Sequence, residues 1–112
     1  MFTGIVEAMG RIAKAGDADG LREFRVDTPP GFLENVRAGA SIAVDGACLT
    51  PIDVHPEGFT VEAVGTTLLR TVAGGYYEGS VVNLERAMAL GDRLGGLLLQ
   101  GHVDGIGHLL RI

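Results

Sequence analysis

The sequence predicts an all-β protein closed into one small barrel, with one or two short helices. Three observations carry this expectation. Apolar and polar residues alternate with a period of two through six or seven short segments spaced about 10–20 residues apart, the pattern of half-buried strands. Glycine supplies 18 of the 112 residues and aromatic residues only 5%. Glycine at that density, roughly twice the usual share, suits many turns better than long helices. The hydrophobic content of 46% supplies a core, and closure removes the edges that an open sheet would expose.

In chain order, Phe2 to Ile12 reads as a strand with Ile5 and Val6 at its heart. Ala15 to Gly20 is polar and glycine-bounded, the signature of a hairpin turn, and Leu21 to Asp27 is the returning strand. Pro29-Pro30 ends it, and Gly31 to Val36 is expected to make a helical turn. Ser41 to Asp45 alternates, Asp45-Gly46 turns the chain, and Ala47 to Thr50 leaves as a short strand limited by Pro51. After the turn at Pro56-Glu57-Gly58, Phe59, Val61 and Ala63 share one strand face while Thr60, Glu62 and Val64 share the other. Thr66 to Thr71 is expected as a short helix with Gly65 or Thr66 near its cap. Ser80 to Glu85 is a strand, and Leu97 to Leu109 is expected as a last strand broken by glycines.

That last segment repeats the first. Gly4 to Ile12 aligns with Gly101 to Leu109 at a constant offset of 97 residues, sharing glycine, valine, an acid and glycine in register. A repeat of this length suggests a duplicated unit. The surplus strand is expected to pair either with its own barrel or with a second chain.

Composition excludes several classes of function. The net charge is −5 and no basic run exists, so neither nucleic acid nor an anionic membrane is an expected partner. A single cysteine forbids an internal disulfide and suits a reducing, cytoplasmic compartment. The N-terminus lacks the basic region of a signal peptide, and no segment reaches the roughly 18–20 apolar residues of a membrane span.

Two polar clusters could carry chemistry. Cys48 and Thr50 lie two apart on one strand, and Ser41 lies across the Asp45-Gly46 turn from them, so all three could converge on one pocket. The competing reading makes Cys48 a small buried hydrophobe. His102 and Asp104 share a strand face, where the acid could orient the ring for acid–base work. The competing reading there is an exposed strand end beside a glycine. Gly105-Ile106-Gly107 lacks the third glycine of a dinucleotide fingerprint. No phosphate-cradling loop or nucleophile elbow occurs, and Cys48, His55, His102 and His108 are too dispersed for a zinc site. Glu85-Arg86 and Asp92-Arg93 read as local or solvated ion pairs.

Met1 to Glu7, Asp45 to Thr50, Asn83 to Ala87 and Gln100 to Gly105 together resemble the riboflavin synthase family, and Thr67 to Thr71 is similar to that family's short helix. The matches run in order over the whole chain. The resemblance implies a six-stranded Greek-key barrel that binds a lumazine or flavin, with two such barrels in tandem in family members. Residues 1–97 would then be one barrel and residues 98–112 the first strand of a second. It implies a dismutation in which two molecules of 6,7-dimethyl-8-ribityllumazine exchange a four-carbon unit, giving riboflavin and a pyrimidinedione. No metal or other cofactor is required, and riboflavin or the lumazine is the bound ligand. The family's site lies between barrels of two subunits, which implies a homo-oligomer, a dimer or trimer.

By the same resemblance, Phe2, Ser41, Cys48 and His102 match positions at or near the reacting rings. Gly4, Thr50, Ala63, Val64 and Thr67 match positions lining the ring or ribityl pocket. Three residues depart from the family pattern: Leu97 where histidine is usual, Thr66 where glutamate is usual before the Thr-Leu of the short helix, and Pro51 in place of a β-branched residue. The departures favour a homodimeric flavin- or lumazine-binding barrel with weak or no synthase activity. The alternative is a riboflavin synthase or its N-terminal domain.

Overall fold

The computed structural model describes residues 1–89, 91–92 and 94–112, with the side chain of Ala18 also outside the description. The expected pairing of Asp92 with Arg93 therefore lies outside the described residues. Seven antiparallel strands form one sheet: β1 Ala8–Ala18, β2 Leu21–Asp27, β3 Ile42–Val44, β4 Ala47–Leu49, β5 Pro51–His55, β6 Gly58–Val64 and β7 Val81–Arg86. The order across the sheet is β4-β3-β7-β1-β2-β6-β5. β4 and β5 occupy opposite edges yet are joined by Thr50 alone. The sheet must therefore curl until its edges meet. Residues 47–55 act as one strand bent at Thr50, which reconciles the expected six strands with the seven observed.

Local chemistry explains the hairpins. Ala18 pairs with Leu21 and Val44 with Ala47. Each pair flanks an Asp-Gly whose two residues both have positive φ: Asp19 50° and Gly20 77°, Asp45 48° and Gly46 83°. That geometry matches the right-handed twist of the flanking strands. The first turn is thus two residues, shorter than the expected Ala15–Gly20 loop, because β1 and β2 continue as a ribbon beyond the core. β1 pairs with β7 through residues 8–11 and with β2 through residues 11–18, and its register shifts between Ile12 and Lys14. Such a bulge bends a strand so that it can serve two neighbours in a tight barrel.

The core fills from alternate positions. Phe24, Val26, Phe59, Val61, Ala63, Val82 and Leu84 point inward with Ile12, Ile42, Val44 and Leu49. Phe32 and Leu33 come from successive i→i+3 turns after β2, and Ala73 and Tyr76 from the 3-10 turn Val72–Gly75 and the residue after it. The helix α1, Gly65–Arg70, begins after Val64, which is extended and makes no side-chain capping bond. Gly65 is the first helical residue and lies directly beside this cap, as expected.

Two expectations at the chain ends change. Residues 3–7 form no ladder, and Phe2 makes a single bridge to Leu99. The expected strand Leu97–Leu109 reduces to that bridge, because residues beyond Gly101 have no backbone partner among the described residues. A strand without a neighbour leaves its amide groups to water. Among the described residues, no helix is long and apolar enough to cross a membrane.

Asp45 bolts the β3–β4 turn to the barrel. Its carboxylate accepts from the Tyr76 hydroxyl at 2.6 Å and from the Asn83 amide at 2.8 Å. Burial, reinforced by the Asp45 carboxylate, pushes the Tyr76 phenol far above its ordinary range, so it remains a donor. We expect Asp45→Ala to cost about 1–3 kcal/mol, since a half-buried hydroxyl and an amide lose their acceptor. Asp45→Asn, which keeps an acceptor oxygen and tolerates positive φ, should cost less. Urea unfolding of both variants measures the difference.

Candidate functional site

The site is assembled from both ends of the chain, and Glu85 makes that possible. β7 points Val82 and Leu84 inward, so Glu85 faces outward, yet it is only 7% exposed. The N-terminal arm covers it. Its carboxylate accepts from the Thr3 amide at 2.6 Å, the Thr3 hydroxyl at 2.7 Å and the Gly4 amide at 3.0 Å. Charge-assisted bonds of this kind are roughly twice as strong as neutral ones. The expected Glu85–Arg86 ion pair is not formed, because adjacent residues on a strand point to opposite faces. Arg86 instead holds Glu7 in two contacts of 3.1 Å.

The fixed arm then receives the C-terminal segment. Phe2 and Leu99 exchange backbone bonds at 2.7 and 2.8 Å, and the Leu97 amide donates to the Thr3 carbonyl at 2.8 Å. The Cys48 amide of β4 donates to the Gly101 carbonyl at 2.8 Å. Gly101 has φ +80°, and a Cβ there would lie 2.8 Å from the Cys48 Cβ and 3.1 Å from the Phe2 ring. Only glycine fits that approach without displacing something.

A cleft of about 220 Å³ results between β4, α1 and residues 101–104. Cys48, Thr66, Thr67 and His102 line it together with Arg70, Val103 and Asp104. Thr71 also lines it, but its hydroxyl is engaged by the Thr67 carbonyl at 2.7 Å and the Ala73 amide at 3.2 Å. The cleft thus offers a thiol, an imidazole and two threonine hydroxyls without internal hydrogen bonds among the described residues. His102 and Asp104 are both there, but no hydrogen bond joins them among the described residues, so the acid does not orient the ring here.

The other sequence-derived residues are not in the lining of this cleft. Phe2 is buried behind Gly101. Ser41 is half-buried, and its carbonyl accepts from the Ala87 amide at 3.3 Å. Gly4 sits on Glu85, Thr50 is exposed at the β4–β5 bend, Ala63 belongs to the barrel core, and Val64 is exposed where α1 begins. The sequence does not mark Arg70 as a site residue, and it marks Glu85 only as half of an ion pair with Arg86. Arg70 had only its position in an amphipathic hexamer to mark it. Glu85 had no local signal, since its partners lie 81 and 82 residues away.

A larger hollow of about 580 Å³ lies on the far side of the arm, between Ile5, Glu7, Glu34, Val36, Arg86 and Met88. The Arg86 guanidinium holds the Glu7 carboxyl below its ordinary value of 4.5. A depressed carboxyl stabilises the fold above its unfolded value and loses that contribution as pH falls through the folded value. Glu7 is largely exposed, so the effect is small, below about 1 kcal/mol. Melting temperatures of the parent and Glu7→Gln should accordingly differ slightly at neutral pH and converge as the pH drops below 4.5.

Comparison with known proteins follows the same architecture. The family model described as the lumazine binding domain matches residues 3–87. The chain is 45% identical to a riboflavin synthase of Mycobacterium bovis over 98% of its own length and 55% of the relative's. It is 42% identical to a riboflavin synthase of Bacillus subtilis over 100% of its length and 52% of the relative's. The chain thus spans about half the length of these curated relatives. Among solved structures, LumP complexed with riboflavin superposes with a TM-score of 0.83 at 28% identity, covering 94% of this chain and 56% of that one. LumP complexed with flavin mononucleotide gives 0.79 at 28% identity, over 94% and 55%. With the family model spanning the barrel from the N-terminal arm to the end of β7, the chain belongs to the lumazine-binding domain family.

Proposed function

We propose that this barrel binds riboflavin or 6,7-dimethyl-8-ribityllumazine in the cleft between β4, α1 and residues 101–104, as a homodimer with weak or no catalysis of its own. One observation carries the reading: Cys48, Thr66, Thr67 and His102, drawn from three separated segments, line a single cleft. Threonine hydroxyls suit the row of hydroxyls on a ribityl chain, and the strand-end backbone supplies further polar partners. The similar LumP structures hold riboflavin and the same lumazine. At about 220 Å³ the cleft is smaller than the usual 300–1,000 Å³ of a complete ligand pocket. That shortfall supports a site finished by a second barrel. Leu97, Thr66 and Pro51, where the family usually differs, support binding over turnover.

A second reading, a riboflavin synthase or its N-terminal domain, is favoured by the 45% identity to the mycobacterial enzyme over 98% of the chain. Dismutation needs a base for the acidified methyl group and two substrates held face to face, and much of the acceleration comes from that orientation. His102 is the candidate base. The purified chain should quench or shift the fluorescence of both ligands on titration, and absence of binding to either overturns the proposal. Riboflavin produced from the lumazine at a catalytic rate replaces it with the second reading. In that case His102→Ala should lower turnover by about 10²–10⁴ while affinity changes far less.

A further inference from the structure

We propose that Arg70 makes this cleft selective for a ligand whose polyol chain ends in a phosphate monoester, so that the protein prefers a flavin 5′-phosphate to the free flavin. The inference rests on the binding reading above and adds a specificity-determining residue to it. Thr66 and Arg70 are four residues apart on α1, hence on the same helical face, and both line the cleft. α1 carries no acidic residue, and its one basic residue is Arg70, in the last turn. Arg70 is exposed and forms no salt bridge among the described residues. Arg70 is therefore an exposed cation in the lining of a cleft that also carries the hydroxyl side chains of Thr66 and Thr67.

That order of groups complements a polyol followed by a phosphate. Hydroxyls exchange hydrogen bonds with hydroxyls, and the planar guanidinium fork fits phosphate oxygens in a bidentate way. Asp104 also lines the cleft and is the acid there. A glutamate at position 66 would add a second acid beside the phosphate, and threonine there avoids that repulsion. A net charge of −5 makes non-specific anion capture by the rest of the surface unfavourable.

The test compares riboflavin, flavin mononucleotide and inorganic phosphate on the intact chain by fluorescence titration and calorimetry. Flavin mononucleotide should bind about tenfold more tightly than riboflavin, and the advantage should shrink with added salt. Arg70→Gln should bring the two affinities together, with flavin mononucleotide losing far more affinity than riboflavin. Arg70→Lys, which keeps the charge and loses the fork, should retain part of the preference. Arg70 is exposed and outside the core, so these variants keep the barrel intact. Equal affinities in the parent chain overturn the proposal, as does an undiminished preference in Arg70→Gln, and in both cases the binding reading stands. Tight binding of inorganic phosphate that is lost in Arg70→Gln, with no flavin preference, assigns Arg70 to a free anion and overturns the flavin-phosphate assignment. Failure of both flavins to bind overturns this proposal together with the binding reading.

Discussion

Gly101→Val should weaken flavin or lumazine binding by roughly tenfold or more while the barrel remains folded. Two costs fall on this one position. A non-glycine residue held at φ +80° costs on the order of 1–3 kcal/mol. Its Cβ would also stand 2.8 Å from the Cys48 Cβ and 3.1 Å from the Phe2 ring, and both neighbours are held by the sheet or the arm. Against this, residues 97–101 are docked by few backbone bonds, each worth about 0.5–1.5 kcal/mol net. The cheapest response is for the segment to lift away. It takes with it Gly101, His102, Val103 and Asp104, one whole wall of the cleft. None of these residues belongs to the hydrophobic core, so thermal unfolding should change far less than affinity. Ligand titration beside a melting curve measures the two effects, and unaltered affinity would remove residues 101–104 from the site.

Glu85→Ala should have the largest effect on stability, about 3–5 kcal/mol, against a total of roughly 5–15 kcal/mol for a domain of this kind. Three donors lose their acceptor at once: the Thr3 amide, the Thr3 hydroxyl and the Gly4 amide. Releasing the arm also exposes Phe2, which is 1% accessible in the fold, and strips Leu97 and Leu99 of their backbone partners. Loss of the arm thus propagates to the cleft wall, so affinity should fall with stability. Glu85→Gln keeps one acceptor oxygen and should fall between the two. Urea unfolding gives the energies, and hydrogen exchange at Thr3, Gly4 and Leu99 localises them. A loss below about 1 kcal/mol, or protection unchanged at those amides, would show that something other than Glu85 holds the arm.

The contrast between these residues explains what the sequence could convey. Alternation across Phe59, Val61 and Ala63 is visible because strand geometry imposes a period of two on neighbours. Asp19-Gly20 and Asp45-Gly46 are legible as turns because the positive φ they need is a property of the dipeptide itself. Cys48 and His102 are marked locally as candidates by their spacing from Thr50 and Asp104, but only the resemblance to the riboflavin synthase family favours them over a buried thiol and an exposed ring. Glu85 looked like one half of an ion pair with Arg86. Its partners are contributed by a segment more than 80 positions away, and no local pattern encodes that.

Residues 4–12 and 101–109 make the same point from related starting material. As sequence they are two copies of one motif. In the structure the first copy enters β1 and pairs with both β2 and β7, while the second bonds to β4 at Gly101 and then has no further backbone partner among the described residues. Gly4 and Gly101 even share a positive φ, 83° and 80°. The fate of each copy is set by which strands lie beside it.

By itself, then, the sequence determined the all-β class, the hairpin turns, the core face of the best-patterned strand and membership of a recognisable family, because each depends on residues close together or on motifs read whole. The tertiary structure decided how the barrel closes through the bend at Thr50, how Glu85 fixes the arm, and which residues meet in the cleft. Those outcomes depend on hydrogen bonds and close approaches between distant segments, and the energy of such a contact exists only once the rest of the barrel has brought its two halves together.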